Sequence, residues 1–241
     1  MKAFQKVFLA LVIAFIASSC QTDETSCVRV DGPIETQKRT ISDFNSIFFS
    51  NVGNLHISQE NEYSFIIKGQ RAILDRLNVS VIKEELVIEV ENCFNGDAYS
   101  LDIFISAPEI RKIKMHGVGS VNTESPISTE VFSFQISGVS ELNVLEINAD
   151  SISTYHLGTG NILYTGAART HTILTSGVGD IDAYAMPSVV TTITSNSIGD
   201  IFVTVSENLK AVINNIGNVY YKGYPVITKE ENNLGKVIDA N

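Results

Sequence analysis

Acidic side chains beside glycine-containing bends are the first candidates for chemistry in this chain. Asp180, Asp182 and Asp200 lie at or just after two copies of the same bend. If the two copies stack as neighbouring strands, Asp180 and Asp200 are about 4.8 Å apart, where two carboxylates either repel each other or bind a cation. These three residues are therefore candidates for a metal site, and the alternative is a solvent-exposed polar edge.

Other residue types do not form a recognisable catalytic motif. The four histidines, which lack the paired spacing of zinc ligands, are His56, His116, His156 and His171. The Gly-x-Gly steps lack the third glycine of a dinucleotide fingerprint. Between residues 115 and 221 the cations are Arg169 and Lys210, whereas polysaccharide cleavage needs paired carboxylates or a base. We therefore expect no catalytic residues and no cofactor.

Aromatic side chains offer a different kind of site, one for binding. Those that we take as candidates for contact with a glycan or a protein are Tyr155, Tyr184, Phe202 and Tyr220. Tyr164 and Tyr221 are predicted to pack in the core, because they align with inward positions of the repeat described below.

Composition bounds the class of protein. The chain has 241 residues, of which 44% are hydrophobic and 18% charged, and a net charge of -10. This apolar fraction is too high for a disordered chain. Binding to nucleic acid needs a basic surface, so the negative charge excludes that class of partner.

The first residues predict export. Lys2 and Lys6 precede an apolar run over residues 7–17, which is typical of a signal peptide over residues 1–19, with a buried helix as the alternative. The junction at residues 17–20 resembles the lipobox of bacterial lipoproteins, which implies that Cys20 is lipidated and that residues 20–34 form a tether. Removal of residues 1–19 takes away two lysines and no acid, so the mature charge is -12. We expect an outer-membrane protein anchored by lipid, facing the cell surface or the periplasm.

Cys27 and Cys93 remain after Cys20 is lipidated. Export permits a disulfide between them, and two separate thiols are the alternative.

A six-residue bend recurs six times at a nearly constant interval. Its third positions, which are 21, 20, 19, 20 and 18 residues apart, are Val118, Val139, Thr159, Val178, Ile198 and Ile216. Glycine and asparagine are frequent around this position, as sharp turns require. A seventh copy at residues 51–55 lies 66 residues before the first, which leaves room for about three degenerate coils.

The repeat predicts a parallel β-helix. The apolar residues after each bend alternate with polar ones, as in a strand with one buried face. Short strands in coils of about 20 residues place each strand beside its equivalent in the next coil. One buried file is then predicted to contain Val121, Leu142, Ile162, Ile181, Ile201 and Val219. The alternative, an antiparallel sandwich, gives no reason for a bend at constant spacing.

The less regular regions lie at the two ends. Strands are predicted at residues 44–49, 55–57, 65–67, 79–81, 86–90 and 101–105, with a hairpin or coil corner at residues 83–86. The last strand is predicted to turn out at residues 222–226, and residues 228–233 to cap the open end.

Residues 38–238 resemble a known family. The resemblance rests on Lys38, Arg39, Phe44 and Ile47, on the 51–55 turn and the 86–90 strand, on the repeated bends, and on the ending at residues 221–225. The family is the "putative auto-transporter adhesin, head GIN domain". It implies a right-handed, single-stranded parallel β-helix over residues 35–241, placement at the cell surface, and no defined catalytic residues.

The predicted function is therefore a non-enzymatic envelope lipoprotein that presents a β-helix for binding. Its partners are the membrane, through the lipid, and a surface glycan or envelope protein. A carbohydrate-active enzyme of β-helical fold and a structural component of the envelope are the alternatives.

Overall fold

The computed structural model describes residues 27–50, 52–90, 94–95 and 99–241. The predicted signal peptide, Cys20 and Cys93 lie outside these ranges. The described strands are β1 Val28–Arg29, β2 Ile34–Lys38, β3 Ser46–Ser50, β4 Val52–Gln59, β5 Ser64–Gln70, β6 Leu77–Ile82, β7 Glu85–Val90, β8 Phe94–Asn95, β9 Leu101–Ala107, β10 Lys112–Met115, β11 Val118–Thr123, β12 Ile127–Ile136, β13 Val139–His156, β14 Ile162–Thr175, β15 Ile181–Ser195, β16 Ile201–Ile213, β17 Val219–Lys222, β18 Val226–Glu231 and β19 Val237–Asp239. A helix, α1 Arg71–Leu74, follows β5.

The second half of the chain is a regular parallel β-solenoid, as the repeat predicts. Strands β12 to β16 pair in parallel, each with the next. These strands are up to 18 residues long because each continues around a corner of its coil. The solenoid makes about six turns of about 20 residues. The parallel β-helix is thus confirmed.

The first coils do not stack in chain order, and this differs from the prediction. Strand β4 pairs in parallel with β11, with Gly53 opposite Gly119. On its other side β4 pairs with β9, and β3 likewise lies between β7 and β10. The coil at residues 46–59 is therefore inserted between two coils that follow it in sequence. The prediction of three degenerate coils between residues 53 and 119 is wrong.

Antiparallel strands cover the N-terminal end. Strand β5 pairs antiparallel with β2 and β9, and β6 pairs antiparallel with β7. The β6–β7 hairpin turns at Lys83 and Glu84, which both have positive φ, so the predicted hairpin is confirmed. These strands pair with backbone groups that an open solenoid leaves exposed.

The C-terminal end differs from the prediction. Strands β18 and β19 pair in parallel with β16 and β17, so the chain continues for another coil and does not turn out at residues 222–226. Glu231 accepts hydrogen bonds from Lys229, Lys236 and the backbone N–H of Val237, which lowers the pKa of its carboxyl group to about 2.

Inward side chains stack in continuous files. Ile162, Ile181, Ile201 and Val219 are direct neighbours on successive strands and are buried, which confirms the predicted file. The backbone of Leu142 pairs with Ile162, and its side chain lies outside the described part of the chain. Val121, also predicted for this file, is buried and pairs with Leu55, and Leu55 pairs with Ile103, so these two residues extend the file beyond the prediction.

The bends stack so closely that most of them have no room for a side chain. A Cβ atom on Gly199 would lie 2.0 Å from the carbonyl oxygen of Gly179, and one on Gly217 would lie 2.1 Å from that of Gly199. The fourth position of the bend is glycine in every copy except one, which has Ser140. Glycine is therefore required here by contact between coils, in addition to its freedom of rotation.

A chain of buried polar groups lies among the apolar files. The Tyr164 hydroxyl is 2.8 Å from Thr154 Oγ1, which is 3.0 Å from Nε2 of His171. Donation from Tyr164 to Thr154, and from Thr154 to an unprotonated Nε2, satisfies these hydroxyl groups. Burial lowers the pKa of His171 to about 3 and raises the pKa of Tyr164. Both side chains are therefore neutral at physiological pH.

Gly199→Ala is expected to lower the free energy of unfolding by about 3 kcal/mol or to prevent folding, because the added methyl group overlaps the Gly179 carbonyl. Gly32→Ala is the matched control: its φ is +90°, but its Cβ position is open, so it should cost only about 1 kcal/mol. Urea unfolding followed by circular dichroism measures both. Equal losses for the two variants would contradict the close contact between coils.

His171 is expected to make the fold sensitive to acid. The folded pKa of about 3 lies below the unfolded value of about 6.5, so between these values the unfolded chain binds a proton that the folded chain does not. The free energy of unfolding therefore falls as the pH falls, by about 2 kcal/mol from this residue between pH 7.5 and pH 5.

In His171→Gln the loss of about 2 kcal/mol in the free energy of unfolding between pH 7.5 and pH 5 is expected to disappear. The control His116→Gln, at an exposed histidine, should keep this loss. Urea unfolding at the two pH values measures the difference. An unchanged pH dependence in His171→Gln would show that His171 is not held neutral by burial.

Candidate binding surface

Three aromatic rings contact one another on one outward surface of the C-terminal coils. Tyr184 meets Phe202 edge to face, with the ring centroids 5.4 Å apart and the planes at 63°. Phe202 stacks on Tyr220, with the centroids 5.1 Å apart and the planes 11° from parallel. Phe202 and Tyr220 are direct partners on β16 and β17. Their side chains point outward because their neighbours Ile201, Val203 and Val219 point into the core. The rings are half-buried by one another and leave an exposed edge.

A lysine lies at one end of these rings. Lys222 Nζ is 4.1 Å from the ring centroid of Tyr184, a cation–π contact. Partial burial, followed by the charge of Asp182, raises the pKa of Tyr184, so its phenol is protonated and able to donate a hydrogen bond. We call the surface formed by Tyr184, Phe202, Tyr220 and Lys222 the aromatic face.

A pocket begins where the aromatic face ends. It has a volume of about 470 Å³ and is mainly apolar, with walls that include Ala168, Pro187, Val205 and Tyr224. Tyr224 follows Lys222 by two residues and is 91% exposed. Irregular register between β15 and β16 at Ser188 makes the corners of these two coils unequal, which leaves the space. We call this feature the corner pocket. Its volume lies within the range typical of small-ligand sites.

The structure brings together three of the four predicted aromatic residues. Tyr155 lies apart, in an outward file between Gln135 and Leu174 on a different side of the coil. Tyr164 and Tyr221 point into the core, as predicted. The sequence therefore separates packing aromatics from surface aromatics correctly, but it does not show which surface ones meet.

The three predicted metal candidates take part in hydrogen bonds to the backbone. Oδ1 of Asp180 accepts the backbone N–H of Asp200 at 2.8 Å, and Oδ1 of Asp200 accepts that of Asn218 at 2.7 Å. Oδ1 of Asp182 accepts the N–H of Tyr184 at 2.9 Å. In the described ranges, no group of three or more His, Cys, Asp or Glu side chains is arranged to hold a metal ion. The oxygens of Asp180 and Asp200 therefore form a ladder that links successive coils, whereas Asp182 bonds within its own strand.

The same ladder continues above and below the aspartates. Asn161 Oδ1 accepts the N–H of Asp180, and Asn218 Oδ1 accepts the N–H of Lys236. Asparagine and aspartate are interchangeable in this role because each offers an oxygen at the same place.

A second group of polar residues lies near the N-terminal end and is not predicted by the sequence. His56 Nδ1 is 2.7 Å from Glu124 Oε1, and His56 Nε2 is 3.7 Å from Asp102 Oδ1. The imidazole ring stacks on Phe104, with the centroids 4.5 Å apart, and Lys68 Nζ lies 4.4 Å from the same Phe104 ring. These residues adjoin a groove of about 250 Å³, which we call the charged groove. Its members come from β4, β5, β9 and the end of β11, whose adjacency follows from the inserted coil.

A disulfide bond and the lengths of the helices are two features that relate to the location of the protein. Cys27 is disulfide-bonded, and its partner lies outside the described residues. Strand β1 pairs with β8 with Val28 opposite Phe94, so Cys93 remains the predicted partner. In the described part of the chain, no helix is long and apolar enough to cross a membrane.

Solved structures of similar fold come from Bacteroides and Parabacteroides. A "putative adhesin" from Bacteroides fragilis has a TM-score of 0.82 and 22% identity, with 88% of this chain and 100% of that chain covered. A "putative lipid binding protein" from Parabacteroides distasonis has a TM-score of 0.67 and 18% identity, with 90% and 100% covered. A "putative adhesin" from the same species has a TM-score of 0.64 and 19% identity, with 89% and 100% covered. At these identities the likeness shows a shared fold.

The sequence itself also matches a family model. No match is found among proteins of curated function. The model described as "Putative auto-transporter adhesin, head GIN domain" matches residues 43–225, which is most of the solenoid. The chain therefore belongs to the family described as "Putative auto-transporter adhesin, head GIN domain".

Proposed function

We propose that this chain is a lipid-anchored protein of the cell envelope that binds a glycan on its aromatic face. The observation that carries the proposal is the outward row of three rings in mutual contact, in which Tyr184 meets Phe202 edge to face and Phe202 stacks on Tyr220. Membership of an adhesin family supports an adhesin-like, non-enzymatic role and an exported location. The glycan, the aromatic face and the lipid anchor go beyond what the family name says.

A glycan suits this surface for chemical reasons. Sugar rings have apolar C–H faces that pack on the apolar edge which the three aromatic rings leave exposed, and their hydroxyl groups need polar neighbours. Asp182 lies beside Phe202 in the strand register, and Lys222 lies beside Thr204, so a carboxylate, an ammonium group and a hydroxyl border the rings. The rings are held by their own stacking before a ligand arrives, so little entropy is lost in ordering them.

The corner pocket extends the same site. It begins beside Lys222 and is lined mainly by apolar atoms, so it suits a sugar residue that carries an apolar substituent, such as a methyl or acetyl group. Apart from Tyr224, its walls are backbone and short side chains that the coils already fix. We therefore assign the pocket to the end of the glycan site.

The charged groove favours a second candidate function, that of a carbohydrate-active enzyme. His56 between Glu124 and Asp102 places a base beside two carboxylates at the edge of a groove. Glycoside hydrolysis needs two carboxyl groups on opposite sides of the bond that is cleaved. Here both carboxylates face one imidazole, and Asp102 Oδ1 also accepts a hydrogen bond from Asn54. We therefore rank binding above catalysis.

Phe202→Ala is expected to raise the dissociation constant for a bound glycan at least tenfold, because it removes the middle ring of the stack. The ligand is first found on a panel of bacterial and host glycans, and titration calorimetry then measures affinity. Tyr220→Ala should have a similar effect. Tyr155→Ala is the matched control, since Tyr155 is exposed but lies on another side of the coil, and it should bind normally.

Three results would contradict this proposal in whole or in part. Equal losses for Tyr155→Ala and Phe202→Ala, with the folds intact by circular dichroism, would place the site elsewhere. Turnover of a polysaccharide that is lost in His56→Gln and Glu124→Gln would establish the enzyme. Capture of an envelope protein that depends on Phe202, without glycan binding, would keep the surface but replace its ligand.

The lipid anchor has its own test. In cells fed a palmitate analogue, the wild-type chain is expected to be labelled and Cys20→Ala is not, because thioether attachment of lipid requires the cysteine. Cys27→Ala is the matched control and should be labelled normally. Equal labelling of Cys20→Ala and wild type would rule out lipidation at this position.

A further inference from the structure

Half-exposed aliphatic side chains form a continuous line along one corner of the solenoid. They occupy the third position of each bend, together with Thr159, and we call this line the aliphatic edge. Its members, with exposed fractions between 42 and 75%, are Val52, Val118, Val139, Val178, Ile198, Ile216 and Leu234. Backbone pairing joins Val52 to Val118, Val118 to Val139, and Val139 through Thr159 to Val178. Stacking of Gly199 on Gly179, Gly217 on Gly199 and Gly235 on Gly217 continues the line to its end.

The fold itself does not require aliphatic residues at these positions. Thr159 occupies the same place in one coil, and its backbone pairs with both neighbours as the valines do. The bends are fixed by the adjacent glycines and by the buried files, not by the outward third side chain. A hydroxyl-bearing β-branched residue therefore serves the bend equally well. Seven aliphatic residues in water need a different explanation.

We propose that a second copy of this chain covers the aliphatic edge, so that two solenoids associate side by side. The spacing of side chains along the aliphatic edge favours a second copy as the partner. Side chains on the edge repeat at the distance between strands, about 4.8 Å. A partner whose side chains interdigitate with all of them must have the same repeat, and a second copy has it. This proposal does not depend on the proposed glycan site.

The distribution of charge around the aliphatic edge also favours pairing at this surface. The chain has a net charge of -10, so two copies repel each other over most of their surfaces. The aliphatic edge carries no charged residue. It is flanked on one side by a neutral file that includes Asn196 and Asn214, and on the other by the file of Asp180 and Asp200. A two-fold axis parallel to the solenoid axis brings the first file of one copy opposite the second file of the other, coil by coil, so the Asn196 amide faces the Asp200 carboxylate.

The apolar area of the aliphatic edge is large enough for a specific dimer. The exposed parts of the seven aliphatic side chains amount to roughly 600 Å² on each copy, so pairing buries roughly 1,200 Å² in all. That total is at the lower end of specific interfaces, so we expect a reversible dimer with a micromolar dissociation constant. Salt should strengthen it, because the contact is apolar and the long-range force between copies is repulsive.

Sedimentation equilibrium of the full chain, as the cell processes it, tests the proposal in a density-matched detergent. The protein mass is expected to approach twice that of one chain at about 100 μM. The double variant Val178→Lys/Ile198→Lys should remain monomeric, because lysines at the centre of the edge face each other across the two-fold axis.

Val131→Lys/Ile82→Lys is the matched control. Val131 and Ile82 are 53 and 57% exposed, similar to Val178 and Ile198, but lie away from the edge. This variant is expected to dimerise as wild type does. A monomeric wild type at 100 μM would overturn the proposal, as would the same mass for both double variants. Circular dichroism confirms that each variant is folded.

Discussion

Successive coils approach one another at the bends until a carbonyl oxygen of one coil occupies the space that a side chain would need on the next. At Gly199, Gly217 and Gly235 the separation from the required Cβ position is between 2.0 and 2.2 Å. This contact fixes the bends of all the coils in one line. Once the bends are aligned, the strand positions beside them also align with their equivalents, both inside and outside the solenoid, and the register shifts only at corners such as that near Ser188.

Alignment turns single residues into files, and the files give the surface its chemistry. Inside, they supply a core of stacked isoleucine and valine side chains. Outside, Asn161, Asp180 and Asp200 form a hydrogen-bonded ladder, and Phe202 stacks on Tyr220. None of these residues belongs to a recognisable local sequence motif. Their proposed roles arise because equivalent residues recur on neighbouring strands and so lie next to one another on the surface.

The regular half of the solenoid is predictable because its period is visible in the sequence. The spacing of the bends predicts the coil, the buried file through Ile162 and Ile201, and the inward direction of Tyr164 and Tyr221. The bends do not reveal that their third residues point into water. Periodicity shows which residues share a file, but the direction of a file depends on how the corner is built.

The N-terminal half is not predictable in the same way. Residues 46–59 lie between two coils that come later in the chain, so His56 meets Asp102 and Glu124, which are 46 and 68 residues away. No local signal marks such an insertion, because each strand alternates normally and only the order of stacking is changed. The single cue is that the bend at residues 51–55 matches the bend at residues 116–121, and this cue is equally compatible with intervening coils.

The central claim is that ligand recognition belongs to the outward file of aromatic rings and not to the charged groove. Hydrogen–deuterium exchange of the intact protein, with and without a bound glycan, tests it most directly. The account predicts slower exchange confined to peptides from the segments around Tyr184, residues 202–206 and residues 220–224. Protection confined to the segments around His56, Phe104 and Glu124 would contradict it and would assign recognition to the charged groove.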